Sequence, residues 1–185
     1  MTLLGIRVLG DPILRRETVP VTTFDAALGA LIEDMFETMH AADGIGLAAP
    51  QVGRSERLTV VDVEGVRRAF VNPEILVSDG RDRREEGCLS IPDIYGDVDR
   101  ATHVTVRARN ADGTPFEIDA RDMVARCLQH EIDHLHGTLF IDYLSVLKRS
   151  TALARWQRQK AKYPDNVRVL SPAEVAAHHT RNEEL

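Results

Sequence analysis

The run H-E-I-D-H at residues 130–134 lies on a stretch whose apolar residues recur at helical spacing, and this combination calls for a helix buried inside the fold. Met123, Cys127, His130 and His134 fall at i, i+4, i+7 and i+11, with Val124, Leu128, Glu131 and Leu135 in the neighbouring row. Histidines that continue an apolar stripe need hydrogen-bond partners in the core, or a metal. Residues four apart differ by about 40° around the axis and about 6 Å along it, so His130 and His134 can share one cation. Glu131 flanks the same face and can serve as general base toward a water whose pKa the cation lowers. Such a site takes three protein ligands and one open position, so a third ligand is required. Short patterns also recur by chance, and an amphipathic helix that merely carries two histidines is the bland alternative.

The rest of the chain frames this helix. Phe24, Leu28, Leu31, Ile32, Met35, Phe36 and Met39 form an earlier helical stripe, with Thr22 and Asp25 spaced as a capping box and a stop expected near Asp43-Gly44. A shaped glycine-rich loop follows at 44–53. Strands are expected at Leu58 to Val63, Arg68 to Val71, Ile75 to Val77, His103 to Arg109 and Phe116 to Ala120, separated by turn pairs that include Asn72-Pro73. The H-E-I-D-H helix should begin at Asp119 or Ala120 and end at Gly137. The fold class is α+β: antiparallel sheets around a central helix, with an N-terminal helix and a C-terminal helical tail at 146–185. At 185 residues, one catalytic domain spanning 1–185 is expected. The net charge of −6 argues against a general nucleic-acid or membrane-surface binder. No membrane-length apolar run or charged leader is visible, which makes a cytoplasmic protein the expectation. Cys88 and Cys127 are too few for a disulfide framework.

The third ligand decides the chemistry. In the extension H-E-x-x-H-x-x-G-x-x-H, Gly137 occupies the glycine position, but Phe140 stands where a histidine is needed. A zinc endopeptidase with another third ligand remains the alternative reading, drawing on Glu174, Glu183 or Glu184. Glu174 fits better as N3 of a capping box, with Ser171 as N-cap and Pro172 at N1. A metal-bearing binding protein without turnover is a third class. Upstream, Cys88 in E-G-C-L-S offers a thiolate that would complete a Cys-His-His site, although read alone it fits a buried small residue better.

Taken together, G-I-G-L-A-A-P-Q at 44–51, E-G-C-L-S at 86–90 and H-E-I-D-H at 130–134 resemble the three ordered motifs of the peptide deformylases. The similarity runs from V-L-G-D-P-I-L-R at 8–15 to about Ser145. The resemblance implies hydrolysis of the formyl group from the formylmethionine that begins newly made polypeptides, releasing formate. It implies Cys88, His130 and His134 as ligands of one divalent metal per chain, with Fe(II) favoured and Zn(II), Ni(II) or Co(II) as alternatives. Glu131 would carry the proton, and the Leu89 N–H and Gln51 amide would hold the oxyanion. Gly44 and Gly46 would leave room for an extended substrate backbone. Ile45, Leu89 and Cys127 would contribute to a methionine pocket. Glu86, counted with the substrate-binding residues, and Arg100 would also pair to brace the cysteine loop. Tyr95 stands where certain relatives carry an arginine lining the cleft. The segment 148–162 holds Lys148, Arg149, Arg155, Arg158, Lys160 and Lys162 with no acid. It reads either as a solvated face or as a transient ribosome-docking surface. A monomer without membrane association is expected.

Overall fold

Hydrophobic alternation and helical periodicity settle into three antiparallel units in the computed structural model, which describes residues 2–171 and 173–175. In chain order the elements are β1 (Ile6–Arg7), α1 (Ala26–Ala41), β2 (Gly46–Ala48), β3 (Leu58–Val63), β4 (Val66–Asp79), β5 (Asp82–Cys88) and β6 (Ile91–Arg100). They continue with β7 (His103–Arg109), β8 (Pro115–Arg121), α2 (Asp122–Leu135), α3 (Val146–Gln159) and β9 (Val167–Arg168). One sheet has the order β2-β3-β4-β7-β8, β5 and β6 form a hairpin, and β1 pairs with β9. The fold is thus α+β, with antiparallel sheets.

Helix α2 has an apolar face because its inner row meets the five-stranded sheet. Val124, Ala125, Cys127, Leu128 and Ile132 pack with Val61, Phe70, Val104, Val106 and Ala120. Helix α1 covers another part of that sheet, placing Leu28, Ile32, Met35 and Met39 against Leu47, Leu58 and Val60. The β5–β6 hairpin is held from behind, where Ile91, Ile94 and Val98 pack with Leu139, Phe140 and α3's Ala152 and Trp156. Among the described residues no helix is long and apolar enough to cross a membrane.

Local chemistry moves several boundaries from their expected places. Asp25 itself caps α1, accepting from the Leu28 N–H at 3.0 Å, so Thr22 has no part in the cap. The left-handed residue after α1 is Asp43 (φ 61°), not Gly44. Asn72-Pro73 does not separate two strands. It lies inside β4 as a bulge with a register shift between Val71 and Glu74, which absorbs the ladder bond that proline cannot donate. Asn72 instead bonds both Val21 N and Val21 O at 2.8 Å. β8 stays paired with β7 through Arg121, which delays α2 to Asp122. Gly137 (φ 70°) does end that helix, and an added Cβ there would lie 2.7 Å from the Arg15 backbone. The tail is not helical throughout: after Gln159 it turns back and Val167–Arg168 pair with β1. Ser171 and Glu174 form the reciprocal cap expected of them, while Pro172, Glu183 and Glu184 lie outside the described residues.

Candidate active site

Two elements far apart in sequence build the site. α2 carries His130, Glu131 and His134, while Cys88 ends β5 and Leu89 opens the turn to β6. One donor atom from each of Cys88, His130 and His134 lies within 4.8 Å of the others, and Cys88 Sγ is 3.3 Å from His134 Nε2. A soft thiolate with two imidazoles suits a first-row divalent cation with one position left open. The ring orientations agree with such a cation. His130 uses Nδ1 on Glu86 Oε2 at 3.0 Å, which leaves Nε2 for the centre. Phe140, at the position where a third histidine would have stood, stacks on His130 with ring centroids 6.4 Å apart. It forms a wall and not a ligand.

Behind the ligands lies a buried charge network. Glu86 Oε1 accepts from Arg100 Nε at 3.0 Å and Arg126 Nη1 at 2.7 Å, and Oε2 from Arg100 Nη2 at 3.0 Å as well as meeting His130. Arg100 also binds Asp133. Burial alone would raise the Glu86 pKa, but the His130 and Arg100 contacts hold it at about 2. Arg100 is likewise held above its ordinary value by Glu86 and Asp133, against burial. With both oxygens engaged by protein groups, Glu86 lines the cleft as a brace rather than as a group free to bind substrate.

Glu131 has the opposite environment. It is 5% exposed, and its Oε2 is buried with no hydrogen-bond partner among the described residues. Burial is the largest cause that raises its pKa, to about 7. Such a carboxylate can take and return a proton near neutrality. Gly46 makes room for it, since an added Cβ would lie 2.5 Å from Glu131 Oε1 and 2.8 Å from Cys127 Sγ. The Cys127 thiol is pushed up by burial and by Glu131, and it donates to the Ile45 carbonyl at 3.6 Å. It stays a protonated packing group.

Gln51 is oriented from both ends. Its Oε1 accepts from Ala48 N–H at 2.8 Å, while Nε2 donates to Ser90 Oγ at 3.1 Å and toward Cys88 Sγ at 3.5 Å. The amide is therefore held donor-first toward the cysteine before any substrate arrives. Gly44 lets the loop close on the same turn, because an added Cβ would meet Leu89 Cδ1 at 2.8 Å.

A cleft of about 790 Å³ opens over this centre. Gly44, Ile45, Gly46, Gln51, Glu86, Cys88, Leu89, Cys127, His130 and Glu131 line it. Arg100 and His134 stand behind that lining. Sequence reasoning missed Arg126, Ser90 and Asp133, although Ser90 and Asp133 sit inside the recognised motifs. It also missed Tyr163, Arg168 and Val169 of the tail, which line the cleft as well. Glu174, the described endopeptidase candidate, is taken up by Arg168 and the Ser171 N–H.

Known proteins resemble this chain in sequence and in fold. A family model described as polypeptide deformylase matches residues 3–150. A peptide deformylase of Acidobacterium capsulatum is 50% identical over 155 residues, covering 81% of this chain and 91% of the relative. One from Hahella chejuensis is 48% identical over 163 residues, covering 86% and 97%. Among solved structures, a peptide deformylase from Legionella pneumophila superposes with a TM-score of 0.82 at 49% identity, covering 88% of this chain and all of that one. The Ehrlichia chaffeensis enzyme in complex with actinonin gives 0.82 at 37% identity, covering 86% and 98%.

Proposed function

This chain belongs to the polypeptide deformylase family, and from that premise we propose how its own residues remove the formyl group from the N-terminal formylmethionine of newly made polypeptides. Cys88, His130 and His134 would hold one divalent metal ion, which would supply Lewis acidity and lower the pKa of a water in the site. Glu131 accepts a proton from the attacking water as the water oxygen adds to the formyl carbon. The Gln51 amide and the Leu89 N–H stabilise the oxyanion that develops on the formyl oxygen. Glu131 then returns the proton to the departing amine as the C–N bond breaks, leaving formate and a free amino terminus. Glu86, braced by Arg100 and Arg126, fixes the His130 ring. The substrate runs past Gly44 and Gly46 in extended form, with its methionine among Ile45, Leu89 and Cys127.

One observation carries this reading: three ligand atoms within 4.8 Å of one another stand beside a buried carboxylate oxygen that has no partner among the described residues. Formate release from formyl-Met-Ala-Ser by anaerobically metal-loaded protein, without internal peptide cleavage, tests it. Internal cleavage would point to an endopeptidase.

We further propose Fe(II) as the metal used in the cell, in line with the donor set and the family resemblance, with Zn(II), Ni(II) and Co(II) as competent substitutes. Metal analysis of anaerobically purified protein tests that. The chain is proposed to act as a monomeric, cytoplasmic, single catalytic domain over 1–185. Transient ribosome association through 148–162 is supported by Arg155, Arg158, Lys160 and Lys162, while Lys148 and Arg149 are paired with Asp97 and Asp142. Truncation would remove the buried Trp156, so the test is Arg155→Glu/Arg158→Glu. Salt-sensitive cosedimentation with ribosomes that survives this change defeats the idea.

A further inference from the structure

The cleft does not end where the family match ends. Beyond residues 3–150 its lining continues with Tyr163, Arg168, Val169 and Glu174, brought there by the short β1–β9 ladder. That ladder is tied to the site. The Val8 N–H donates to Asn166 O at 2.9 Å, and the next residue, Leu9, donates to the carbonyl of Ser90 at 2.8 Å, two residues past Cys88. Leu170 packs with Ile6, Ala41, Ala42 and Leu89. Tyr163 stacks on Trp156 at 5.7 Å, which fixes the approach to β9. The tail is therefore a built wall of the cleft.

The side chains on that wall have a distinct character. The Arg168 side chain is 19% exposed, and one guanidinium nitrogen binds Glu174 Oε1 at 2.6 Å. Glu174 Oε2 in turn accepts the Ser171 N–H at 2.7 Å, so the cation is aimed by a fixed partner. A guanidinium has five N–H donors, which leaves capacity for an oxygen acceptor in the cleft. The cleft's other arginine, Arg126, is engaged by Glu86 and by the carbonyls of Val98 and Asp82. Beside Arg168, Val169 is 79% exposed, and it shares the cleft lining with Tyr95 at 61% and Ile45 at 45%.

We propose that Arg168 and Val169 are specificity-determining residues for the peptide beyond its formylmethionine. Arg168 favours an acidic side chain and disfavours a basic one at the position that reaches it, and Val169 contacts an apolar neighbour. This rests on the reading that the nascent chain lies along this cleft. Asp43, Glu85 and Asp93 also line it, so the readout is the change in charge preference on substitution and not the starting preference.

The experiment compares formyl-Met-Ala with formylated peptides carrying Asp or Lys at the third or fourth position. Arg168→Glu should move the Asp-to-Lys ratio of kcat/KM about tenfold toward Lys, chiefly through KM. Arg168→Lys should keep the original ratio. Arg168→Gln, which retains a donor for Glu174, should move the ratio part of the way and serves if the charge reversal does not fold. An unchanged ratio, or an equal loss on every peptide, overturns the proposal, because a purely structural tail gives no charge dependence. If wild-type enzyme releases no formate from formyl-Met-Ala, the catalytic reading falls and this one with it.

Discussion

The turn at Cys88 and the strand at Arg168 line the same cleft, yet they are built to opposite specifications. At the turn, the polar groups are buried and mostly satisfied: Glu86 meets Arg100, Arg126 and His130, and Gln51 is held at both ends of its amide. Glu131 Oε2 and His134 Nδ1 are the exceptions, buried without a hydrogen-bond partner among the described residues. At the strand, Arg168 keeps one ion-pair partner among the described residues and Val169 faces outward. The bond-breaking end thus needs one geometry, enforced by a network in which each member fixes another. The recognition end needs only a surface, and it is attached by a two-residue ladder. Rigidity is concentrated where a small displacement would cost rate, and the exposed side chain of Val169 can vary without disturbing it.

That contrast predicts a steep gradient of mutational effects. Cys88→Ala should lower turnover by on the order of 10⁴-fold and take metal content well below one per chain, measured by formate release and elemental analysis. Glu86→Ala leaves Arg126 buried with carbonyl partners only and Arg100 with Asp133 alone, and should destabilise the fold by about 3–5 kcal/mol in urea unfolding. If that variant is as stable as wild type, the bracing network is not the support described. Gln51→Ala should cost about 10²-fold in kcat with little change in KM, as expected when a donor acts only on developing charge. Val169→Asp should sit at the other extreme: kcat unchanged, stability within about 0.5 kcal/mol, and KM raised a few-fold for long peptides only. An equal fall in kcat for short and long substrates would erase the distinction between the two ends.

How far the sequence alone reaches follows the same division. Where one face of an element is buried and the other wet, periodicity is legible, as in β7 at His103–Arg109; β3 at Leu58–Val63 is legible instead as a short apolar, β-branched run, and α2 ends at its glycine. β5 escaped notice because D-R-R-E-E-G-C shows no apolar alternation; its pairing with β6 orders it. The two-residue strands β1 and β9 have no period to detect. At the site, His130, Glu131 and His134 are visible as a helical pattern, while Cys88 joins them only through tertiary packing, and it was the resemblance of three motifs that pointed to it. Arg126 had no signal, since an arginine on a helix reads as solvated until Glu86 arrives from another element to bury it. Asn72-Pro73 misled for a local reason: the pair that ends a strand in isolation becomes a bulge when neighbours on both sides hold the ladder.

The central claim is that Glu131 moves the proton while Cys88, His130 and His134 do the holding. The most direct test measures metal content and formate release together, on anaerobically prepared wild type and Glu131→Gln. The account predicts about one metal ion per chain in both and turnover of formyl-Met-Ala-Ser reduced by about 10³-fold in the variant alone. Near-normal turnover by metal-loaded Glu131→Gln would contradict it.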